Sequence, residues 1–88
     1  MNDLKFREYL IKTNHTEKSI ISRINKLKSI EDHFHLDIDT LISNKEKVIA
    51  LLIKIRNAKI EDRRHTPLSN ALRKYYNCMT NDEIGRIF

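Results

Sequence analysis

Four groups of residues have side chains that could do chemistry. Tyr75 and Tyr76 follow Arg73 and Lys74 in the run LRKYY. A tyrosine nucleophile needs clustered cations to hold a phosphate and a base to activate the hydroxyl. Only Arg73 and Lys74 are near, and from a helix they point elsewhere. The expectation is therefore one tyrosine in the core, one at its edge, and no catalytic residue. His33, His35 and Asp37 in DHFHLD are a second group. Metal ligands on a helix want a spacing of i and i+4; histidines at i and i+2 diverge, which predicts surface histidines and no metal site. Cys78 is the single cysteine, so an internal disulfide or a cysteine-based metal site is excluded. With no clear base beside it, it reads as a small apolar residue.

The fourth group is basic. Net charge is +5 at pH 7, which favours an acidic partner such as nucleic acid. The charge is unevenly spread. Residues 5–28 hold seven basic and two acidic residues, residues 31–46 one basic and five acidic, and residues 59–74 five basic and two acidic. Basic stretches with an acidic region elsewhere suit a protein that must orient on a polyanion. A solvated charged face, balanced after residue 60 by Glu61 and Asp62, is the plainer alternative.

These residues need elements to position them. One glycine and one proline in 88 residues argue against tight hairpins and for helices. Phe6 and Leu10, with Leu4 and Ile11 seven apart, predict an amphipathic helix over 3–13, broken by TNH. Thr16 is a plausible N-cap. Ile20, Ile24, Leu27, Ile30 and Phe34 then continue a stripe to about residue 34. Lys18, Ser22, Arg23 and Lys26 lie off that stripe. Ile38, Leu41 and Ile42 should plug the core from the connector.

Ser43 and Glu46 in SNKE form a predicted capping box. The helix that follows, rich in apolar residues from Val48 to Ile55, should be the most buried. Residues 57–65 read as a charged linker. Thr66 then caps a helix with Pro67 in its first position, where a missing N–H costs nothing. Leu68, Ala71, Leu72, Tyr75 and Met79 face inward; Ser69, Asn70, Arg73 and Lys74 face a partner. Thr80 to Glu83 form a second capping box, opening a short helix over 80–88. Ile84, Ile87 and Phe88 on it either close the core or dock onto a protein or a second copy.

The sum is one all-α domain over residues 1–88, a compact four-helix bundle with a short C-terminal helix. Such a domain buries about 60–65% of its unfolded surface, so its stability is modest. The longest apolar run, residues 48–53, is too short to span a membrane, and no signal-peptide core opens the chain. Lone Cys78 fits a reducing, cytoplasmic compartment.

The runs FREYLIKTNHTEKSIISRINKLKSI, LDIDTLI and LSNALRKYY, over about residues 4–79, resemble the N-terminal core-binding domain of tyrosine recombinases and phage integrases. The resemblance implies a SAM-like bundle that clamps one face of duplex DNA through its second and fourth helices. Matched here, those helices carry Lys18, Ser22, Arg23 and Lys26, and Ser69, Asn70, Arg73 and Lys74. Arg63, Arg64 and His65 would contact phosphates at the start of the fourth helix. The catalytic half of the family has no counterpart, and HTPL lacks the arginine of its His-x-x-Arg pair. The expectation is a DNA-binding module that is not an enzyme and needs no cofactor, either a fragment of a recombinase or a free-standing protein of a mobile element or phage. A protein-interaction or inhibitor module is the alternative. Its mark would be an exposed apolar surface of Leu4, Phe6, Ile84, Ile87 and Phe88.

Overall fold

The first three helices begin where a side chain can take up unpaired N–H groups. In the computed structural model, which describes residues 1–58 and 67–84, α1 runs Asp3–Lys12 and α2 runs Glu17–Phe34. A single 3₁₀ turn covers Ile38–Thr40, followed by α3 at Lys45–Asn57 and α4 at Pro67–Thr80. The described residues contain no strand, so the all-α expectation holds. The Asn2 carboxamide oxygen accepts the Lys5 N–H at the start of α1, and Thr16 Oγ1 accepts the Ser19 N–H at the start of α2, both at 3.2 Å.

With almost no glycine, the chain ends helices on residues that tolerate the left-handed region. Asn14, His35 and Asn81 follow α1, α2 and α4 with φ of 65°, 52° and 58°. The N–H groups of both His35 and Leu36 then turn back onto the Glu31 carbonyl and close α2.

Three local expectations fail for identifiable reasons. The cap of α3 is Asn44, whose Oδ1 accepts the N–H groups of Glu46 and Lys47 at 3.1 and 3.3 Å. Ser43 lies one residue too early to form its predicted box with Glu46. Thr80 cannot open a terminal helix because it is the last residue of α4. Its hydroxyl donates to the Tyr76 carbonyl at 2.8 Å and accepts the Asp82 N–H at 3.2 Å. Residues 82–84 are not helical, and Ile87 and Phe88 lie outside the described residues. In α3 burial is confined to the stripe Val48, Leu51, Leu52 and Ile55, while Ile53 is 40% exposed, so this helix is amphipathic rather than enclosed.

The core joins Phe6 and Leu10 of α1, the α2 stripe from Ile20 to Ile30, Ile38, the α3 stripe, and Ala71, Leu72, Tyr75 and Tyr76 of α4. Leu4 and Ile11 stand 68% and 55% exposed. At 100° per residue, Leu4 sits about 200° from Phe6, so the two cannot share an inner face. Helix α4 packs against α1, α2 and α3, and most heavily against α2.

A polar knot locks α4 in place. The Asn2 N–H donates to the Tyr75 hydroxyl and that hydroxyl donates to Asp39 Oδ1, both at 2.7 Å. The second Asp39 oxygen takes the N-terminal ammonium at 2.9 Å. The Tyr75 ring meets Phe6 edge to face, with centroids 5.2 Å apart. One residue of α4 is thereby tied to α1 and to the 3₁₀ turn.

Candidate nucleic-acid interface

On α2, Lys18, Ser22 and Lys26 recur every four residues and so lie along one side of the helix. Lys18 is exposed; Ser22 and Lys26 are half-buried. Arg23 is set one position round from this row, towards α4. On α4, Asn70, Arg73 and Lys74 are half-buried rather than fully outward. The close packing of the two helices brings Arg23, Asn70, Arg73 and Lys74 to the wall of one open cleft of about 470 Å³. Tyr9 and Asn77 complete that wall, and Glu83 and Ile84 bound it at the end of the described chain.

The electrostatics of the cleft favour an anion. The Arg23 Nε is shielded from water and has no hydrogen-bond partner among the described residues. Burial lowers the Arg23 pKa. Burial also lowers that of Lys74, and the neighbouring Arg23 charge adds to the effect. Two cations therefore crowd each other, and among the described residues the one carboxylate in the cleft wall is Glu83. Asn77 holds Glu83 with a 3.3 Å bond from Nδ2 to Oε1. Arg73 donates to Asn70 Oδ1 one helical turn back, which fixes the guanidinium on the cleft side of α4.

The chain after α4 is pinned beside this cleft. Asp82 Oδ2 accepts from Lys45 Nζ at 3.3 Å and from the Tyr76 hydroxyl at 3.2 Å. The Glu83 N–H, with help from Lys45 and Tyr76, holds the Asp82 carboxyl below its ordinary range. Ile84 packs onto the core with 9% of its surface exposed.

No known protein family, curated protein or solved structure matches this chain.

Two expected site residues need correction and several fall outside the described residues. Ser69 does not face a partner: it is 6% exposed, because at i, i+3 and i+7 it shares the inner face of α4 with Leu72 and Tyr76. Ile84 is likewise core, not an exposed docking residue, and Phe6 of the same suggested surface is fully buried. Arg63, Arg64 and His65, with Ile87 and Phe88, lie outside the described residues.

Tyr9, Asn77 and Glu83 were not singled out from the sequence. Asn77 carried a signal, lying seven residues after Asn70 on the same face. Tyr9 and Glu83 carried none, because they reach the cleft through the tertiary path of the chain.

The other chemical candidates are occupied by packing. Tyr75 is fully buried, and burial followed by its bond to Asp39 pushes its hydroxyl pKa far above the ordinary value, the reverse of activation. The Tyr76 hydroxyl donates to Asp82. Burial raises the Cys78 thiol pKa, and its sulfur lies 3.7 Å from the Lys5 carbonyl. The His33 ring meets Phe34 edge-on at 4.7 Å. Among the described residues, no three His, Cys, Asp or Glu side chains are placed to hold a metal ion.

Proposed function

We propose that this chain is a non-catalytic DNA-binding module of a cytoplasmic protein, gripping duplex DNA through α2 and α4. One observation carries the reading: the two helices read as basic from sequence pack side by side, and Arg23, Arg73 and Lys74 open into one cleft whose wall, among the described residues, holds a single carboxylate. Lys18 and Lys26 extend that positive edge along α2. Lysine and arginine on such an edge release counterions from the phosphates they neutralise. Asn70 and Arg73, paired on one turn of α4, are the residues suited to touching base edges. The helix order and the pairing of the second helix with the fourth suit the core-binding domain of tyrosine recombinases that the sequence resembles.

The test is fluorescence anisotropy with a labelled duplex of about 30 base pairs across a salt series. Each phosphate contact contributes about 0.9 to the slope of log affinity against log salt. Arg73→Ala/Lys74→Ala should therefore make the slope shallower by about 2. Absence of binding at low salt, or an unchanged slope in the double variant, refutes the reading.

A second reading rests on a separate observation. Leu4 and Ile11 share the outer face of α1 and are both more than half exposed. A protein-interaction or inhibitor module would use that face. Its signature is capture of one protein that survives high salt and is lost in Leu4→Ser/Ile11→Ser. Among the described residues, no helix is long and apolar enough to cross a membrane.

A further inference from the structure

A flat basic face would neutralise phosphates in water, each cation keeping its hydration. The α2–α4 cleft is different. Arg23 and Lys74 are partly withdrawn from water, the Arg23 Nε has no acceptor among the described residues, and neither side chain has an acidic partner there. A buried donor on a charged group is seldom left without an acceptor. With Nε shielded, the two terminal Nη groups of the guanidinium are the edge that can match two oxygens of a phosphate.

The charge count narrows the ligand. Among the described residues, Arg23, Arg73 and Lys74 face one carboxylate, Glu83, an excess of two positive charges in the cleft wall. A backbone phosphodiester brings one negative charge. A phosphomonoester brings about 1.5 to 2 near neutral pH. The Tyr9 hydroxyl and the Asn77 carboxamide in the same wall can supply further hydrogen bonds to its oxygens.

We propose that the cleft is a discrete site for one phosphomonoester dianion, clasped by Arg23 and Lys74, with Glu83 setting its affinity by opposing the bound charge. The source of that group is either the 5′-phosphate at a strand end or a free phosphate compound. The site stands on the cleft alone; only the first source rests on the DNA-binding reading.

The experiment is a titration of the whole chain with inorganic phosphate, phenyl phosphate and dimethyl phosphate at constant ionic strength, read by NMR at the arginine Nε–H signals. The expected result is a saturable shift at Arg23, with the monoester bound at least about tenfold more tightly than the diester. Arg23→Gln and Lys74→Gln should each weaken phosphate binding about tenfold, and Glu83→Gln should strengthen it by a similar factor. Signal dispersion reports whether each variant is folded. If Arg23→Gln is not, the Lys74 and Glu83 variants still decide the matter.

No saturable shift at Arg23, equal affinity for monoester and diester, or Lys74→Gln binding like wild type overturns the proposal. Duplexes with and without a 5′-phosphate separate the sources: tighter binding of the phosphorylated duplex assigns the strand end, and equal binding assigns a free phosphate compound. A duplex that binds with a steep salt slope while phosphate does not shift Arg23 leaves the DNA reading standing and this site refuted. Phosphate binding without duplex binding does the reverse.

Discussion

Replacing Tyr75 by phenylalanine removes one oxygen and leaves the ring packed against Phe6. That oxygen accepts the Asn2 N–H and donates to Asp39, both at 2.7 Å. The first bond is between neutral groups and contributes about 1 kcal/mol. The second ends on a carboxylate, for which about 1.5–3 kcal/mol is usual. The Asp39 side chain is 41% exposed, however, and water replaces part of what is lost. Discounting that bond to about 1 kcal/mol gives a total of about 2 kcal/mol. For a domain of this size that lowers Tm by about 8–16 °C. Thermal melts by circular dichroism at pH 7 measure it, with urea unfolding at an unchanged slope confirming a two-state comparison. The partner test is a double-mutant cycle with Asp39→Asn, in which a coupling of about 1 kcal/mol is expected. A Tyr75→Phe protein melting within about 2 °C of wild type would show that the knot adds nothing beyond the buried ring, and the reasoning would fail.

The same knot sets the pH range. Burial pushes the Asp39 carboxyl up, but the Tyr75 hydroxyl and the N-terminal ammonium outweigh it and hold the pKa below 3.8. A lowered carboxyl stabilises the fold above 3.8, and that contribution is lost as pH falls through the folded value; acid melts should show this limb, and Asp39→Asn should flatten it. The ammonium pKa is raised above 8.0, chiefly by its bond to Asp39, so its contribution is complete below pH 8 and fades as pH rises through the raised value. Asn44→Ala should cost about 1 kcal/mol in urea unfolding and Ser43→Ala close to nothing, which separates the observed cap of α3 from the predicted one. Cys78 should resist a thiol reagent in the native protein and react at once in denaturant; rapid native labelling would contradict its burial.

What the sequence revealed follows the reach of its local signals. Helix α2 was legible from end to end because Thr16 caps it and its apolar stripe never breaks. Pro67 marked the first turn of α4. Arg23, Asn70, Arg73 and Lys74 were legible as lying off the apolar stripes. Their convergence was not, since a helical period says nothing about which helix lies alongside.

Errors arose where two registers competed locally. Ser43 and Asn44 are both good caps one residue apart, and only the observed start at Lys45 chooses between them. Ser69 reads as polar and therefore outward, yet the face it shares with Leu72 and Tyr76 draws it in. Phe6 was grouped with Leu4 in one exposed apolar surface, but it takes the inner side of α1 with Leu10, and Leu4 is left outside.

The place of α4 in the packing has a consequence for how the chain acquires its shape. Helices α1 and α2 pack on each other, but α3 meets the bundle mainly through α4. Of the four described helices, the one that touches the other three comes last in the sequence. The contacts it makes with α1 close a loop of about 70 residues, long-range for a helical protein, and loop closure of that kind slows folding. Until α4 joins them, the α3 stripe lacks its main cover and Phe6 lacks the Tyr75 ring, so the partly made chain should remain open to chaperones and fold in one late cooperative step.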